Sequence, residues 1–96
     1  MATLHLINKS PGSSDALKAC LRVIAADDAI LLIEDAVYAA LAGTETAGTL
    51  AGLGTALMAD LEARGLQRRL GEGIATVDEH GFVELCTRCD RVMSWF

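Results

Sequence analysis

The 96 residues of this chain allow one domain, residues 1–96, because domains usually contain about 100 to 150 residues and a second core would lack material. Hydrophobic residues make up 52% of the sequence and charged residues 22%, which excludes intrinsic disorder. Thirteen acidic against eight basic residues give a net charge of −5, which argues against direct binding to nucleic acid, since that binding depends on a basic surface.

The first half of the chain alternates strand and helix patterns. Residues 3–8 (TLHLIN) and 29–33 (AILLI) are nearly continuous apolar runs, which predict buried strands. Between them lies a predicted helix with Ser13 or Ser14 as its N-cap and Asp15 in its first turn. Its apolar positions have helical spacing: Leu17, Cys20, Leu21 and Ile24. A second helix is predicted from about residue 35 to 42, ending at Gly43.

The second half continues the same alternation after a segment rich in glycine and threonine, residues 43–54, which we predict to be a surface loop. Asp78 is the predicted N-cap of a helix over residues 79–88, in which Phe82, Leu85 and Cys86 share a face. The other predicted elements are a strand at 55–59, a helical turn at 60–65, a connection at 66–73, and strands at 74–77 and 91–96.

This order of elements predicts a three-layer α/β/α fold around a mostly parallel sheet of about five strands. In such open sheets, ligands bind outside the carboxyl ends of the strands. The residues expected at that rim are 8–14, Glu34, Asp35, Asp60 and 77–80.

The apolar composition of so short a chain suggests that other subunits cover part of its surface, and we therefore expect an oligomer. No apolar run approaches the roughly 20 residues of a membrane-spanning helix, and the N-terminal residues lack the features of a signal peptide. We expect a cytoplasmic protein without membrane contact. The odd number of cysteines makes a disulfide framework improbable and directs attention to thiol chemistry.

The remaining polar patterns favour structural interpretations. The glycines of residues 43–54 do not match a phosphate-binding loop, and residues 9–14 are more typical of an ordinary turn than of an anion site. His5 is expected in the core or at an interface, and His80 in solvent. A zinc site formed by His80 with the C-terminal cysteines is only weakly indicated, and we expect neither a metal nor another cofactor.

Three cysteines and four carboxylates are the chemically interesting residues. Cys86 and Cys89 have the CxxC spacing, but they fall near the C-terminal end of a predicted helix, which favours structural thiols over a redox pair. Cys20 has the alignment of a packed position. The acidic pairs at residues 27–28 and 34–35 lie at opposite ends of one strand; we interpret the first as a solvated turn and the second as a helix start. A complete active site within this chain is therefore not expected.

The assembled pattern resembles the DsrH/TusB family, the small subunit of the DsrEFH and TusBCD sulfur-relay complexes. The resemblance covers nearly the full length. It is most specific in LLIEDAVYAAL (residues 31–41), ADLEARGL (residues 59–66) and the spacing that joins Asp78, Phe82, Val83 and Leu85 to Ser94 and Trp95. None of these segments is a catalytic signature.

The resemblance implies a cytoplasmic heterohexamer, a dimer of heterotrimers with DsrE/TusD-like and DsrF/TusC-like subunits, that passes persulfide sulfur to a DsrC/TusE-like acceptor. It implies that the chain is not a sulfurtransferase by itself. In the family, the DsrH branch serves oxidation of stored sulfur and has a cysteine in the first helix, where Cys20 stands here. We therefore expect Cys20 to carry a persulfide in sulfur oxidation. The alternative is a TusB-type subunit with a purely structural role in 2-thiolation of the tRNA wobble uridine.

Overall fold

A computed structural model describes residues 2–96 and places five strands in one sheet, in which every pair of neighbours is parallel. The strands are β1 (Thr3–Ile7), β2 (Ala29–Leu32), β3 (Gly54–Leu57), β4 (Ala75–Val77) and β5 (Arg91–Trp95). Their order across the sheet is β4-β3-β2-β1-β5. The last strand therefore pairs with the first, and the two edges of the sheet are β4 and β5.

The helices cover both faces of the sheet because the first four strands are added towards one edge, whereas β5 is added at the opposite edge, beside β1. The helical segments are α1 (Ala16–Val23), a 3₁₀ helix (Glu34–Ala40), α2 (Glu45–Leu50), α3 (Met58–Ala63) and α4 (Glu79–Arg88). From β1 to β4 each right-handed crossover steps the same way, which places the first four segments on one face. The crossover from β4 to β5 runs back and places α4 on the other face. The predicted three-layer α/β/α class is confirmed.

Two apolar clusters fill the spaces between these layers. The larger cluster joins alternate residues of β1 and β2, such as Ile7 and Ile30, to Cys20 of α1 and Leu61 of α3. The smaller cluster lies beneath α4 and consists of Leu4, Leu6, Leu31 and Leu85. Successive side chains of a strand point to opposite faces, so β1 and β2 supply both clusters, and their sequences are nearly continuous apolar runs.

Helix α2 corrects the prediction of a loop over residues 43–54. The Thr44 side chain accepts a hydrogen bond from the backbone N–H of Ala47, which caps the helix at its start. Ala47 and Leu50, three residues apart, are both buried and fix this short helix on the larger cluster. The glycine and threonine content of this segment therefore led to a wrong prediction of a loop, because the helix depends on its N-cap and on two buried apolar side chains.

The helix predicted over residues 35–42 is a 3₁₀ helix that starts one residue earlier, at Glu34, and ends at Ala40. Glu34 has a φ of 50°, in the left-handed region, and begins the helix one residue after Ile33, which separates it from β2. The N-cap of α1 is Asp15, not Ser13 or Ser14, although the Ser14 hydroxyl accepts a hydrogen bond from the N–H of Ala16.

The other elements are present with small changes at their ends. Strand β3 starts at Gly54, one residue early, and α3 begins at Met58 with no intervening loop, so the predicted strand 55–59 is too long. Helix α4 is confirmed over its predicted range, and the Asp78 carboxylate accepts from the N–H of Gly81 as its cap. Within residues 2–96 no helix combines the length and apolar character needed to cross a membrane.

Candidate functional site

Helix α1 holds Cys20 inside the protein. Leu17 and Cys20, three residues apart, are the two buried residues of α1 and form the side of the helix that packs on the sheet. The Cys20 side chain has no solvent-exposed surface and belongs to the larger apolar cluster. The structure therefore places the predicted persulfide carrier at a packed core position, and its role as a carrier stays a prediction.

The surroundings of Cys20 oppose formation of the thiolate. Burial is the main cause and the nearby Asp28 carboxylate the second, and together they raise the pKa of the Cys20 thiol from an ordinary 9.0 to about 11. A thiolate at this position would lose its hydration and would also meet a like charge. In this conformation Cys20 is a neutral thiol, whereas a nucleophile or a metal ligand must be the anion.

The prediction of a solvated turn at residues 27–28 is confirmed for Asp27, which is exposed in a turn, and is wrong for the side chain of Asp28. Only 6% of its side chain is exposed. Oδ1 accepts from the N–H of Thr3 at 2.9 Å, and Oδ2 accepts from the N–H of Ala25 at 3.0 Å. The backbone hydrogen bond from Ala25, the bond from His5 and that from Thr3 lower the Asp28 pKa from 3.8 to about 2. The carboxylate thus joins the starts of β1 and β2.

His5 links Asp28 to the C-terminal strand. Its Nε2 lies 2.9 Å from Asp28 Oδ2, and its Nδ1 accepts a hydrogen bond of 3.0 Å from the indole Nε1 of Trp95. The imidazole is 3% exposed, which confirms the predicted core position of this histidine. We call these three residues the Asp28–His5–Trp95 network. Sequence reasoning missed the network because its members are separated by 23 and 90 positions along the chain.

The expected rim at the carboxyl ends of the strands is partly assembled. Asp60 Oδ2 accepts from the backbone N–H of Glu34 at 2.7 Å, and the Asn8 amide approaches the Glu34 carboxylate at 3.5 Å. Two nitrogens of the Arg64 guanidinium donate to the same oxygen, Asp35 Oδ1, at 2.9 and 3.1 Å, a contact that the sequence analysis did not predict. The start of the 3₁₀ helix at residues 34–35 is confirmed. Arg64 pairs with both Asp35 and Asp60, and Asp60 also accepts from the backbone of Glu34, so these two carboxylates have structural partners at the rim.

Cys86 and Cys89 lie on the opposite face of the sheet from Cys20. Both are free, partly buried thiols that pack against the smaller apolar cluster, as predicted for Cys86. Burial raises the Cys89 pKa, and the charge of Arg88 opposes that effect only in part. His80 is 83% exposed beside Glu84, which confirms its predicted position in solvent. Among residues 2–96, the structure brings together no group of three ligand-type side chains suited to a metal ion.

Two open depressions lie on the surface. One, of about 340 Å³, separates α1 from α2 above an apolar floor that includes Leu17 and Leu21, with Lys18 and Arg22 at its edge. The other, of about 420 Å³, lies where β3 and β4 end, beside the start of α4. Ser10 and Ser13 form hydrogen bonds within the turn at residues 9–14, and the Ser14 hydroxyl accepts from the N–H of Ala16 at the start of α1, as in an ordinary β-to-α connection.

The fold and the buried thiol together define a small α/β protein with a parallel sheet and a neutral core cysteine. The fold is similar to that of the YchN protein from Escherichia coli, with a TM-score of 0.76 over 98% of this chain and 99% of that one. Their sequences are 18% identical, so the likeness shows the fold alone.

Closer relatives define the family. The model of the family described as "DsrH like protein" matches residues 9–92. The chain is 39% identical to Protein TusB of Serratia proteamaculans, 33% to that of Pectobacterium parmentieri and 35% to that of Escherichia coli O81. Each comparison covers 96% of this chain and 99% of the relative. The chain belongs to the DsrH-like family, which confirms the resemblance found in its sequence.

Proposed function

We propose that this chain is the TusB-type structural subunit of a sulfur-relay complex that serves 2-thiolation of the wobble uridine in tRNA. Membership of the DsrH-like family supports a sulfur-relay subunit. The three relatives named above are all called TusB, which favours the tRNA alternative over our first expectation, a subunit for oxidation of stored sulfur.

The observation that carries the structural role is the burial of Cys20. A sulfur carrier takes up sulfane sulfur through an exposed thiolate and releases it to an attacking thiolate. Cys20 has no exposed surface, and its raised pKa keeps it neutral. Persulfide transfer through Cys20 in sulfur oxidation is the competing function, and it requires a conformation in which α1 opens.

The proposed partners follow from the same family relationship: TusD-like and TusC-like subunits in a dimer of heterotrimers, and a TusE-like acceptor. Exposed apolar side chains support an assembled state, because exposed apolar patches often mark protein interaction surfaces. Val83 of α4 is 61% exposed, and Val92 and Met93 of β5 are 47% and 45% exposed.

Intact mass spectrometry of the assembled complex tests the role of Cys20. The chain is coexpressed with its two partner subunits, treated with inorganic polysulfide, and compared as wild type, Cys20→Ser and Cys86→Ser. We expect a partner subunit to gain reducible sulfur while this chain gains none in any of the three samples. Sulfur on this chain that is lost in Cys20→Ser and retained in Cys86→Ser would establish the carrier function instead.

Complementation tests the pathway separately. The chain and its two partner subunits replace the native TusB, TusC and TusD of Escherichia coli, and 2-thiouridine is measured in hydrolysed tRNA. We expect the modification to be restored by wild type and by Cys20→Ser alike. A complex that assembles but leaves the tRNA unmodified would contradict the tRNA function and leave the mass measurement valid.

A further inference from the structure

The side chains of the last strand, β5, are more exposed to solvent than is usual for a strand of a parallel sheet. Four of its five residues are exposed, although strands in parallel sheets are normally buried on both faces. Its start is held by the N–H of Asp90, which donates to the Ala2 carbonyl at 2.8 Å, and by Asp90 Oδ2, which accepts from the N–H of Ala2 at 3.0 Å. The strand is paired with β1 along its length, up to Trp95 beside Ile7, and the indole of Trp95 adds a side-chain hydrogen bond to His5 at its end.

The hydrogen bond from Trp95 fixes the protonation of the imidazole. An indole Nε1 is only a donor, so the 3.0 Å contact requires Nδ1 of His5 to be an unprotonated acceptor. The single ring proton is then on Nε2 and is donated to Asp28 Oδ2. Both ring nitrogens are used, and His5 is neutral in this arrangement.

We propose that His5 is a protonation-sensitive latch for β5: a proton gained at Nδ1 displaces the Trp95 indole and loosens the end of the strand. The imidazolium carries an N–H on both nitrogens and cannot accept from the indole. Two N–H groups would then face each other across 3.0 Å in the core, and one of them has to move. The inference does not depend on the proposed function.

Trp95 is the least fixed member of the network, although it is paired with Ile7 and packs against the larger cluster. Asp28 is fixed by the backbone N–H groups of Thr3 and Ala25, and His5 lies in the middle of the buried strand β1. Trp95 is partly exposed and belongs to an edge strand. Displacement of the Trp95 side chain makes β5, the strand that carries the exposed Val92 and Met93, more mobile.

Among the described residues, Asp28 is the charged group that forms a hydrogen bond with the imidazole, and Cys20, Cys89 and Arg91 are the other titratable or charged groups on the elements around this network. The Asp28 carboxylate lies on the Nε2 side and retains its charge above about pH 4, since its pKa is about 2. The Cys20 thiol of α1 belongs to the same cluster as Trp95 and is neutral. Arg91 is exposed and lies in β5 two residues before Met93, which is paired with His5. Neither Asp28 nor Cys20 changes its charge in the interval between about pH 8 and pH 5, in which histidines titrate.

Amide hydrogen exchange and tryptophan emission test the latch on the full chain. Trp95 is the only tryptophan, so emission reports its surroundings directly. Emission also responds to a nearby charge, so the protection of the β5 amides, divided by that of the β2 amides at each pH, is the second measurement. We expect this ratio to fall at least about tenfold between about pH 8 and pH 5, together with a change of emission.

His80→Gln is the matched control, because it removes the other histidine, which is exposed and lies outside the network. It should keep the full response, whereas His5→Gln should abolish it. A protection ratio that stays constant between about pH 8 and pH 5 in the wild type overturns the latch, whether or not His5→Gln folds. A response that persists in His5→Gln, or is lost in His80→Gln, also overturns it.

Discussion

The low reactivity of Cys20 is the most direct quantitative consequence of the structure. At about pH 8, a thiol with a pKa of 9.0 is about one-tenth thiolate, whereas one with a pKa of about 11 is about one-thousandth thiolate. Because only the thiolate reacts with an alkylating reagent, we expect alkylation of Cys20 in the native chain to be at least about 100-fold slower than in the denatured chain. Its complete burial slows the reaction further, since the reagent reaches Cys20 only when the core opens.

The assay is a time course with iodoacetamide, in which the modified peptides are quantified by mass spectrometry in native buffer and in denaturant. Cys86 is the internal reference, because it is partly exposed on the other face of the sheet. The native rate at Cys20 should rise about tenfold for each unit of pH until the pH approaches about 11. Asp28→Asn removes the smaller of the two causes, so it should recover only part of the reactivity.

A native rate at Cys20 within about tenfold of the denatured rate, or equal to the rate at Cys86, would refute this reasoning. Such a result would mean that the thiol is accessible in solution. The competing function, in which Cys20 carries a persulfide, would then regain its chemical basis.

Three further predictions concern the stability of the fold. The folded-state pKa of Asp28 lies below the ordinary 3.8, so the stability that this carboxylate contributes is present above about pH 4 and is lost as the pH falls towards 2. The Tm of Asp28→Asn should therefore fall less than that of the wild type over this interval. Leu31→Ala should cost about 2 to 5 kcal/mol of unfolding free energy in urea titrations, because Leu31 is fully buried, whereas Val83→Ala at an exposed position should change it by less than about 0.5 kcal/mol. Thr44→Ala should cost about 1 kcal/mol by the same measurement, through loss of the α2 cap, and an unchanged midpoint would contradict the assigned cap.

The sequence was informative wherever the signal is local. Residues 3–8 are largely apolar and residues 29–33 entirely so because their strands lie between two layers of helices, and this pattern alone located β1 and β2. Asp78 caps α4 because a carboxylate three residues before a backbone N–H can reach it without help from the rest of the fold. Helix α2 had the same kind of signal, Thr44 before Ala47, but the surrounding glycines concealed it.

The interior polar contacts were not predictable by the same reasoning. Asp28 reads as half of a solvated acidic turn, and only the parallel pairing of β1 with β2 and β5 brings it to His5 and brings His5 to Trp95. Arg64 likewise follows the end of α3, whereas its partner Asp35 lies in the 3₁₀ helix, 29 residues away. Contacts of this kind depend on the order of the strands in the sheet. The pattern of strands and helices along the chain predicts a parallel sheet but not that order.

The position of Asp28 distinguishes the two roles considered for Cys20, a persulfide carrier and a packed structural thiol. The carboxylate that holds His5 and the starts of two strands is also the charge that opposes a thiolate at Cys20. Activation of Cys20 therefore requires either a cation brought next to the thiol or movement of Asp28, which would break hydrogen bonds to Thr3, Ala25 and His5 together. A structural subunit needs no such change, and for that reason the intact Asp28–His5–Trp95 network is better suited to a chain that supports a sulfur relay than to one that carries the sulfur.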